Sequence, residues 1–380
     1  MLQLTFLGTS AGVPTKQRNV TALAIECLNP YRNSSQSSKK RPWLLIDCGE
    51  GTQQQLLHTK RSLHQLIAIC ITHVHGDHCY GLPGLLASAA MSGRTTPLTI
   101  IAPKAIAALL EAVKSTTALY LPYTINFIAI EDILANVSSS LSSSETNNKA
   151  SNANISLPLD DQHHLTIDVT PLSHRVPSHA FGITQTISHL ALNTDKLKAE
   201  GIPTRKLWGE LQQGRDVYTD EGRQLLSADY VHEDKLRTRI VVAGDNDTPA
   251  LLTPILKEAT LLVHEATYTC DVLTKMRRKA QEDHTDNVDS DAIFDPMHSS
   301  VAQVAKFAQD SRLKNLILTH FSARYQSFDN PQSTAANMSH IRLEAQACYQ
   351  GNLWLAEDFA QYRVTGTDHQ VEYLGSARKS

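Results

Sequence analysis

Between positions 72 and 78 the chain reads Thr72-His73-Val74-His75-Gly76-Asp77-His78, four potential metal or proton ligands within six residues. Imidazole nitrogens and carboxylate oxygens at this density suit zinc, with manganese or iron as alternatives at a mixed nitrogen and oxygen site. The preceding run, Ile67-Ala68-Ile69-Cys70-Ile71, is apolar and β-branched and predicts a strand buried on both faces. Side chains alternate along extended backbone, so His73 and His75 share a side. Gly76 permits a sharp turn, after which Asp77 and His78 reach a second point nearby. Two ligand pairs a few ångströms apart are what a two-metal hydrolytic centre needs.

Other predicted strands end the same way. Leu165 to Leu172 runs into Ser173-His174, and Arg239 to Ala243 into Gly244-Asp245. Ala259 to Val263 runs into His264-Glu265, and Leu316 to Leu318 into Thr319-His320. Strand ends on one sheet edge converge, so ligands placed only there predict a shared site. Asp47, after the predicted strand Trp43 to Ile46, is a candidate to orient a ligand histidine or to cap the helix from Gln53 to His58. Cys79 directly follows the histidine motif and is a further candidate ligand. The small-residue loop Gly8 to Pro14 reads either as a backbone cradle for phosphate or as a plain turn.

These residues need a frame. The 380 residues suffice for one large domain or two smaller ones, and 41% apolar with 19% charged residues is the composition of a globular protein. A net charge of −3 excludes a global basic field, so any nucleic-acid contact must rest on local patches. Six cysteines without a CxxC pair predict a reduced, cytoplasmic protein. Met1 to Leu7 predicts a first strand and not a signal peptide, and no run approaches the ~18 apolar residues of a membrane span.

Further strands are expected at Thr21–Glu26, Leu98–Ala102, Thr124–Ile130 and Phe181–Ile187, with Leu353–Ala356 the last element. Helices are expected through Ala90, over Pro103–Ser115, after Ser299 as N-cap, and over Ser339–Cys348. Residues 33–40 predict a polar hairpin loop. Residues 137–155, rich in Ser and Asn, predict a disordered insertion. The basic then acidic stretch 275–291 predicts an exposed, flexible loop. Residues 194–214 carry Lys196, Lys198, Arg205, Lys206 and Trp208 and read as a solvated connector or a substrate-gripping arm.

The ligand pattern resembles the metallo-β-lactamase superfamily. Phe6 to Thr15 with Arg18-Asn19, and His264-Glu265-Ala266-Thr267 with His298-Ser299, narrow the resemblance to ribonuclease Z, with motifs agreeing from residue 6 to residue 325. The resemblance implies an α/β fold, a four-layer αβ/βα sandwich of two mixed sheets flanked by helices. It implies a single domain over 1–380 and a substrate arm at 194–214, and the flexible insertions expected at 137–155 and 278–297 are departures from the family pattern. It implies two zinc ions, one held by His73, His75 and His174, the other by Asp77, His78 and His320, with Asp245 bridging.

The implied reaction removes the 3′ trailer of precursor tRNA by hydrolysis, leaving a 3′-hydroxyl on the tRNA and a 5′-phosphate on the trailer. Asp77 would orient the attacking water and take its proton. His298, backed by Glu265, would protonate the leaving oxygen. Precursor tRNA is the implied partner and a homodimer the implied assembly. Arg205 and Lys206 are candidate substrate contacts. Two departures stand out: Gly244-Asp245-Asn246-Asp247-Thr248 replaces the family's Gly-Asp-Thr, and 201–209 lacks the arm's Gly-Pro motif. The alternatives are another binuclear hydrolase of this fold, acting on small phosphodiesters, and a non-catalytic RNA-binding homologue.

Overall fold

The computed structural model describes residues 1–31, 41–142, 154–203, 206–285, 297–366 and 368–378. The hairpin loop expected at 33–40 and Arg205 lie outside them. Two large sheets dominate. The first runs in the order Gln370–Ser376, Ala360–Thr365, Leu2–Gly8, Ala22–Cys27, Trp43–Ile46, Leu66–Cys70, Leu98–Ala102, Ile125–Ala129. The second runs Asn352–Leu355, Asn315–Thr319, Leu261–Glu265, Val231–Ala243, Ser178–Leu192, His163–Leu172, Ile155–Asp160. Each is mixed: the strands from Trp43 to Ala129 pair in parallel, as do those from Val231–Ala243 to Asn352–Leu355, and the rest pair antiparallel.

Alternation along the strands builds the layers. Leu44, Ile46, Ala68 and Cys70 face a core shared with Ile167, Phe181, Ile183, Ile240 and Val263 of the second sheet. Their neighbours Trp43, Leu45 and Ile69 face the other way, onto Leu82, Leu85 and Leu86 of the helix Leu82–Met91. On the far side, Val241, Leu262, Leu316 and Leu318 pack on Val301, Val304, Ala305 and Ala308 of the helix Val301–Asp310 and on Ile341 and Ala345 of Met338–Cys348. The result is the expected sequence of helices, sheet, sheet and helices. Burying each such Leu, Ile or Val stabilises the sandwich by about 1.5–3 kcal/mol.

Several expectations need correction. From Lys275 to Thr285 the stretch is not a loop but part of a helix, Cys270–Thr285, and the rest of the insertion expected to 297, residues 286–296, lies outside the described residues. Of 137–155, residues to Ser142 continue the helix Ile130–Ser142 and Ile155 opens a strand, while 143–153 lie outside the described residues. The N-cap is Ser300, in a capping box with Gln303, and Ser299 instead donates to the Asn246 carbonyl at 2.5 Å. Leu353–Ala356 is not the last element, because Ala360–Thr365 and Gln370–Ser376 follow and extend the first sheet.

The expected connector at 194–214 is also structured. Ser188 to Leu192 pairs with Val231 to Lys235 in an extension of the second sheet. Between these strands, the helices Thr194–Ala199 and Lys206–Gln212 enclose Leu197, Trp208 and Leu211 in a small core of their own. Among the described residues no helix is long and apolar enough to cross a membrane.

Candidate metal centre

The sheets deliver their ligands at one edge. His73 and His75 follow the Leu66–Cys70 strand, and Asp77 and His78 sit on the short helix Gly76–Cys79. His174 follows His163–Leu172, Asp245 follows Val231–Ala243, and His320 follows Asn315–Thr319. Gly244 makes the approach of Asp245 possible, since a Cβ there would lie 2.7 Å from Thr72 Cβ and 2.8 Å from Ser178 Oγ. The seven residues form two ligand groups, His73, His75, His174 and Asp245, and Asp77, His78 and His320. A third group, Asp245, His298 and His320, overlaps them.

The ring orientations are set from behind. Nδ1–H of His78 donates to Asp47 Oδ2 at 2.7 Å, and Nδ1–H of His174 to the Met297 carbonyl at 2.8 Å. Nδ1–H of His73 donates to Thr72 Oγ1 at 3.0 Å, and Nδ1–H of His320 to Thr267 Oγ1 at 2.9 Å. The Thr72 hydroxyl is free to accept because its own proton goes to Asp47 Oδ2, 2.9 Å away. Each bond fixes a tautomer whose Nε2 carries a lone pair toward the centre.

Those lone pairs then face one another. His73 Nε2 is 3.1 Å from His75 Nδ1, and His78 Nε2 is 3.2 Å from His320 Nε2. Two lone pairs at such a distance repel unless a proton or a metal cation lies between them. Against its burial, the carboxylates of Asp245 and Asp47 raise the pKa of His78, drawing positive charge to this point. A tetrahedral cation with bonds of ~2.0–2.1 Å sets its nitrogens about 3.3–3.4 Å apart, close to what is found. Asp245 spans both groups: Oδ2 is 3.7 Å from His73 Nε2 and from His174 Nε2, while Oδ1 is 3.4 Å from His78 Nε2 and from His320 Nε2. The donor set therefore fits a pair of divalent cations sharing one carboxylate.

Burial first, then the surrounding imidazoles of His78, His174 and His75, hold His73 well below its ordinary pKa. That keeps it neutral, the form that binds metal. Burial works against charge on Asp77, but in the metal-free chain the imidazoles of His320 and His78, 3.3 and 3.5 Å from its Oδ2, overcome it and hold the carboxyl far below the usual range. Asp77 Oδ2 also accepts the Gly12 N–H at 2.7 Å. The small-residue loop thus commits one amide to this carboxylate.

His298 lies beside the cluster. Its Nδ1 is 2.9 Å from Glu265 Oε2, which leaves Nε2 to exchange a proton. Burial opposes a charge on His298, yet Glu265 raises its pKa to about 9. Glu265 is fully enclosed and is itself lowered to about 2, His298 outweighing burial. The Thr267 hydroxyl donates to Glu265 Oε2. Asn246, in the altered turn after Asp245, donates its N–H to Glu265 Oε1 at 2.7 Å.

Three residues at this edge adopt left-handed backbone: Asp47 at φ 58°, Met297 at φ 51° and His320 at φ 57°. Such conformations are costly for residues with a Cβ and persist where the surroundings enforce them. Here they aim a histidine or the group that holds one.

Some sequence candidates stay outside the cluster. His264 binds the Glu265 carbonyl at 2.8 Å and belongs to none of the ligand groups. Cys79 is buried, with its thiol directed to the Val74 carbonyl and pushed up to about 11 by burial. Asp47 caps no helix; Gly51 holds that position. Lys206, exposed at the start of its helix, lies on the segment between Leu192 and Val231 and not among the ligands.

Thr72, Asn246, Thr267 and Asp358 went unread in the sequence. Asp358 accepts from Thr9 Oγ1 at 2.8 Å, the Asn19 N–H at 2.7 Å and Gln55 Nε2 at 2.9 Å, pinning the loop that carries Gly12. No local pattern marks it, since its partners are far away in the chain. Asp358→Ala is expected to cost about 1–3 kcal/mol, because three donors lose their acceptor. An unchanged urea midpoint would show that the loop is held by other means.

The comparisons agree with this geometry. A family model described as Anti-Pycsar protein Apyc1 matches residues 2–132. Ribonuclease Z of Marinobacter nauticus is 43% identical over 96% of this chain and 96% of its own. Ribonuclease BN of Proteus mirabilis is 32% identical over 96% of this chain and 100% of its own. Among solved structures, the short form of human tRNase Z superposes with TM-score 0.52 at 22% identity, covering 94% of this chain and 98% of the other. The metallo-β-lactamase fold protein YhfI of Bacillus subtilis superposes with TM-score 0.53 at 15% identity, covering 94% and 97%. The two sheets and their flanking helices are the metallo-β-lactamase fold. Within that fold, relatives at this identity extend over nearly every residue from the first strand to the last, and the chain belongs to the ribonuclease Z family.

Proposed function

We propose that this chain is a zinc-dependent endoribonuclease that removes the 3′ trailer of precursor tRNA, leaving a 3′-hydroxyl on the tRNA and a 5′-phosphate on the trailer. As a member of its family it is a metal-dependent phosphodiester hydrolase. The observation that carries the specific reading is Asp245, whose two oxygens face two separate histidine sets. His73, His75 and His174 would hold one cation, and Asp77, His78 and His320 the other. Bound there, the cations supply Lewis-acid charge for acidifying water and neutralising phosphoryl oxygens.

The chain's own residues divide the remaining work. Asp77, positioned by the Gly12 amide, orients the attacking water and accepts its proton. His298, charged beside Glu265, donates a proton to the departing 3′-oxygen. Asn246 and Thr267 hold Glu265 from two sides, so the carboxylate stays aimed at His298.

The test is to map the cut on a precursor tRNA with zinc supplied. One cut that yields a 3′-hydroxyl tRNA supports the reading, whereas turnover of small aryl phosphodiesters without tRNA cleavage would refute it. Stripping the protein with a chelator should abolish activity, and zinc or manganese should restore it. Fewer than one ion per chain in the active protein would contradict the two-cation centre.

The proposed partner is precursor tRNA, and the proposed assembly is a homodimer in the cytoplasm. The segment bearing Arg205 and Lys206 is the proposed arm for the RNA. Neutralising both should weaken tRNA binding and make its salt dependence shallower by about 0.7–0.9 in logarithmic slope per lost phosphate contact. An unchanged slope would remove them from the interface.

A further inference from the structure

A second concentration of chemistry lies away from the metal centre. A cavity of about 630 Å³ opens over the Leu2–Gly8, Ala22–Cys27 and Ala360–Thr365 strands, walled by Ser376, Ala377 and Arg378 at the end of the Gln370–Ser376 strand. Arg41, Lys60, Arg61 and Arg378 line it, and Glu26 is its one carboxylate. Arg41 precedes the Trp43–Ile46 strand and Asp47 follows it, so cavity and metal centre occupy opposite ends of that strand.

The charges are unbalanced. Glu26 is already paired with Arg61 at 3.0 Å. Among the described residues Arg41, Lys60 and Arg378 have no ion-pair partner, and Arg378 only rests over the Phe359 ring at 5.4 Å. Arg61 is buried with its Nε unpartnered. Burial lowers its pKa, opposed by Glu26 and reinforced by the charge of Arg41. Four cations against one committed carboxylate, in a chain whose net charge is −3, make a local site for a multivalent anion.

We propose that this cavity binds a compact polyphosphate, either free or as the tail of a nucleotide. Its concave shape suits a small anion better than the long backbone of a nucleic acid. Among the described residues no aromatic side chain lines it, so a base finds no ring there to stack on and recognition falls to the phosphates. Gln3, Gln361 and Ser376 supply neutral polar groups around the cations. The site is independent of whatever the metal centre cleaves.

The experiment is calorimetric titration of the full, metal-loaded chain with inorganic tripolyphosphate, in which any binding at the metal centre is common to wild type and variant. Saturable binding is expected, with affinity falling at least tenfold in the double variant Arg41→Ala, Lys60→Ala. Both side chains are exposed and without ion pairs among the described residues, so an unchanged melting temperature should accompany the loss. A nucleoside triphosphate should bind about as well as tripolyphosphate. Absence of saturable binding, or equal affinity in the double variant, would overturn the proposal. So would binding of a short RNA duplex that depends on Arg41 and Lys60 without any binding of tripolyphosphate.

Discussion

Asp77→Ala is expected to abolish cleavage of precursor tRNA while the protein keeps its fold. The carboxylate serves two ends at once in the proposed mechanism, as a ligand and as the base for the attacking water. Its loss should cost at least the about 10²–10⁴-fold typical of a missing general base. Aryl phosphodiesters should be lost equally, because their hydrolysis needs the same nucleophile. The side chain sits at the mouth of the site, 11% exposed, and its polar partners are Gly12, His78 and His320. Far-UV circular dichroism should therefore be unchanged. Asp77→Asn sharpens the test, since an amide oxygen can still accept the Gly12 N–H but carries no charge. Full activity in the asparagine variant would reduce Asp77 to a loop anchor, and turnover in the alanine variant would remove it from the chemistry.

Much of this site was legible because strands end abruptly where they meet solvent. An apolar run such as Ile67 to Ile71 can only be a buried strand, and the first polar residues after it must lie at the sheet edge. His73, Asp245 and His320 follow such runs, and His174 follows the alternating strand Leu165 to Leu172, so local patterns place all four at strand ends. His264 breaks the rule for a local reason: its ring is bound to the Glu265 carbonyl and the Asn246 amide.

The groups that hold the ligands were harder to see. Thr267 reaches His320 across 53 positions and Asp358 reaches Thr9 across 349, and nothing in their neighbourhoods announces either contact. The last two strands were missed for a different reason. In Ala360 to Thr365 buried and part-buried residues alternate, a period that was present but weakened by Gln361 and Arg363. In Lys275 to Thr285 the charge that suggests a loop is equally at home on a solvated helix face, which is why this helix is hard to read from sequence.

His298→Ala is expected to separate proton delivery from metal binding. His298 belongs to a third possible ligand group with Asp245 and His320, yet its Nδ1 is engaged by Glu265. If it is the general acid, the variant should retain two metal ions per chain and lose about 10²–10⁴-fold in kcat on precursor tRNA. On an aryl phosphodiester the loss should nearly vanish, because a phenolate of low pKa departs without a proton. A drop in metal content would instead make His298 a ligand.

The pH dependence gives a second reading of the same residue. An acid must be protonated to act, so the wild-type rate should fall as pH rises through the pKa of His298, and the variant should lack that limb. The metal-free value of about 9 bounds the limb from above, since bound cations disfavour a nearby positive charge. Linkage fixes the matching effect on stability. A histidine whose folded pKa is raised stabilises fully below its unfolded value near 6.5, and this contribution fades as pH rises through about 9. The stability gap between wild-type and variant metal-free protein should therefore close over that interval. A gap that stays constant from pH 6.5 to 9 would mean that His298 is neutral beside Glu265, which would also remove it as the proton donor.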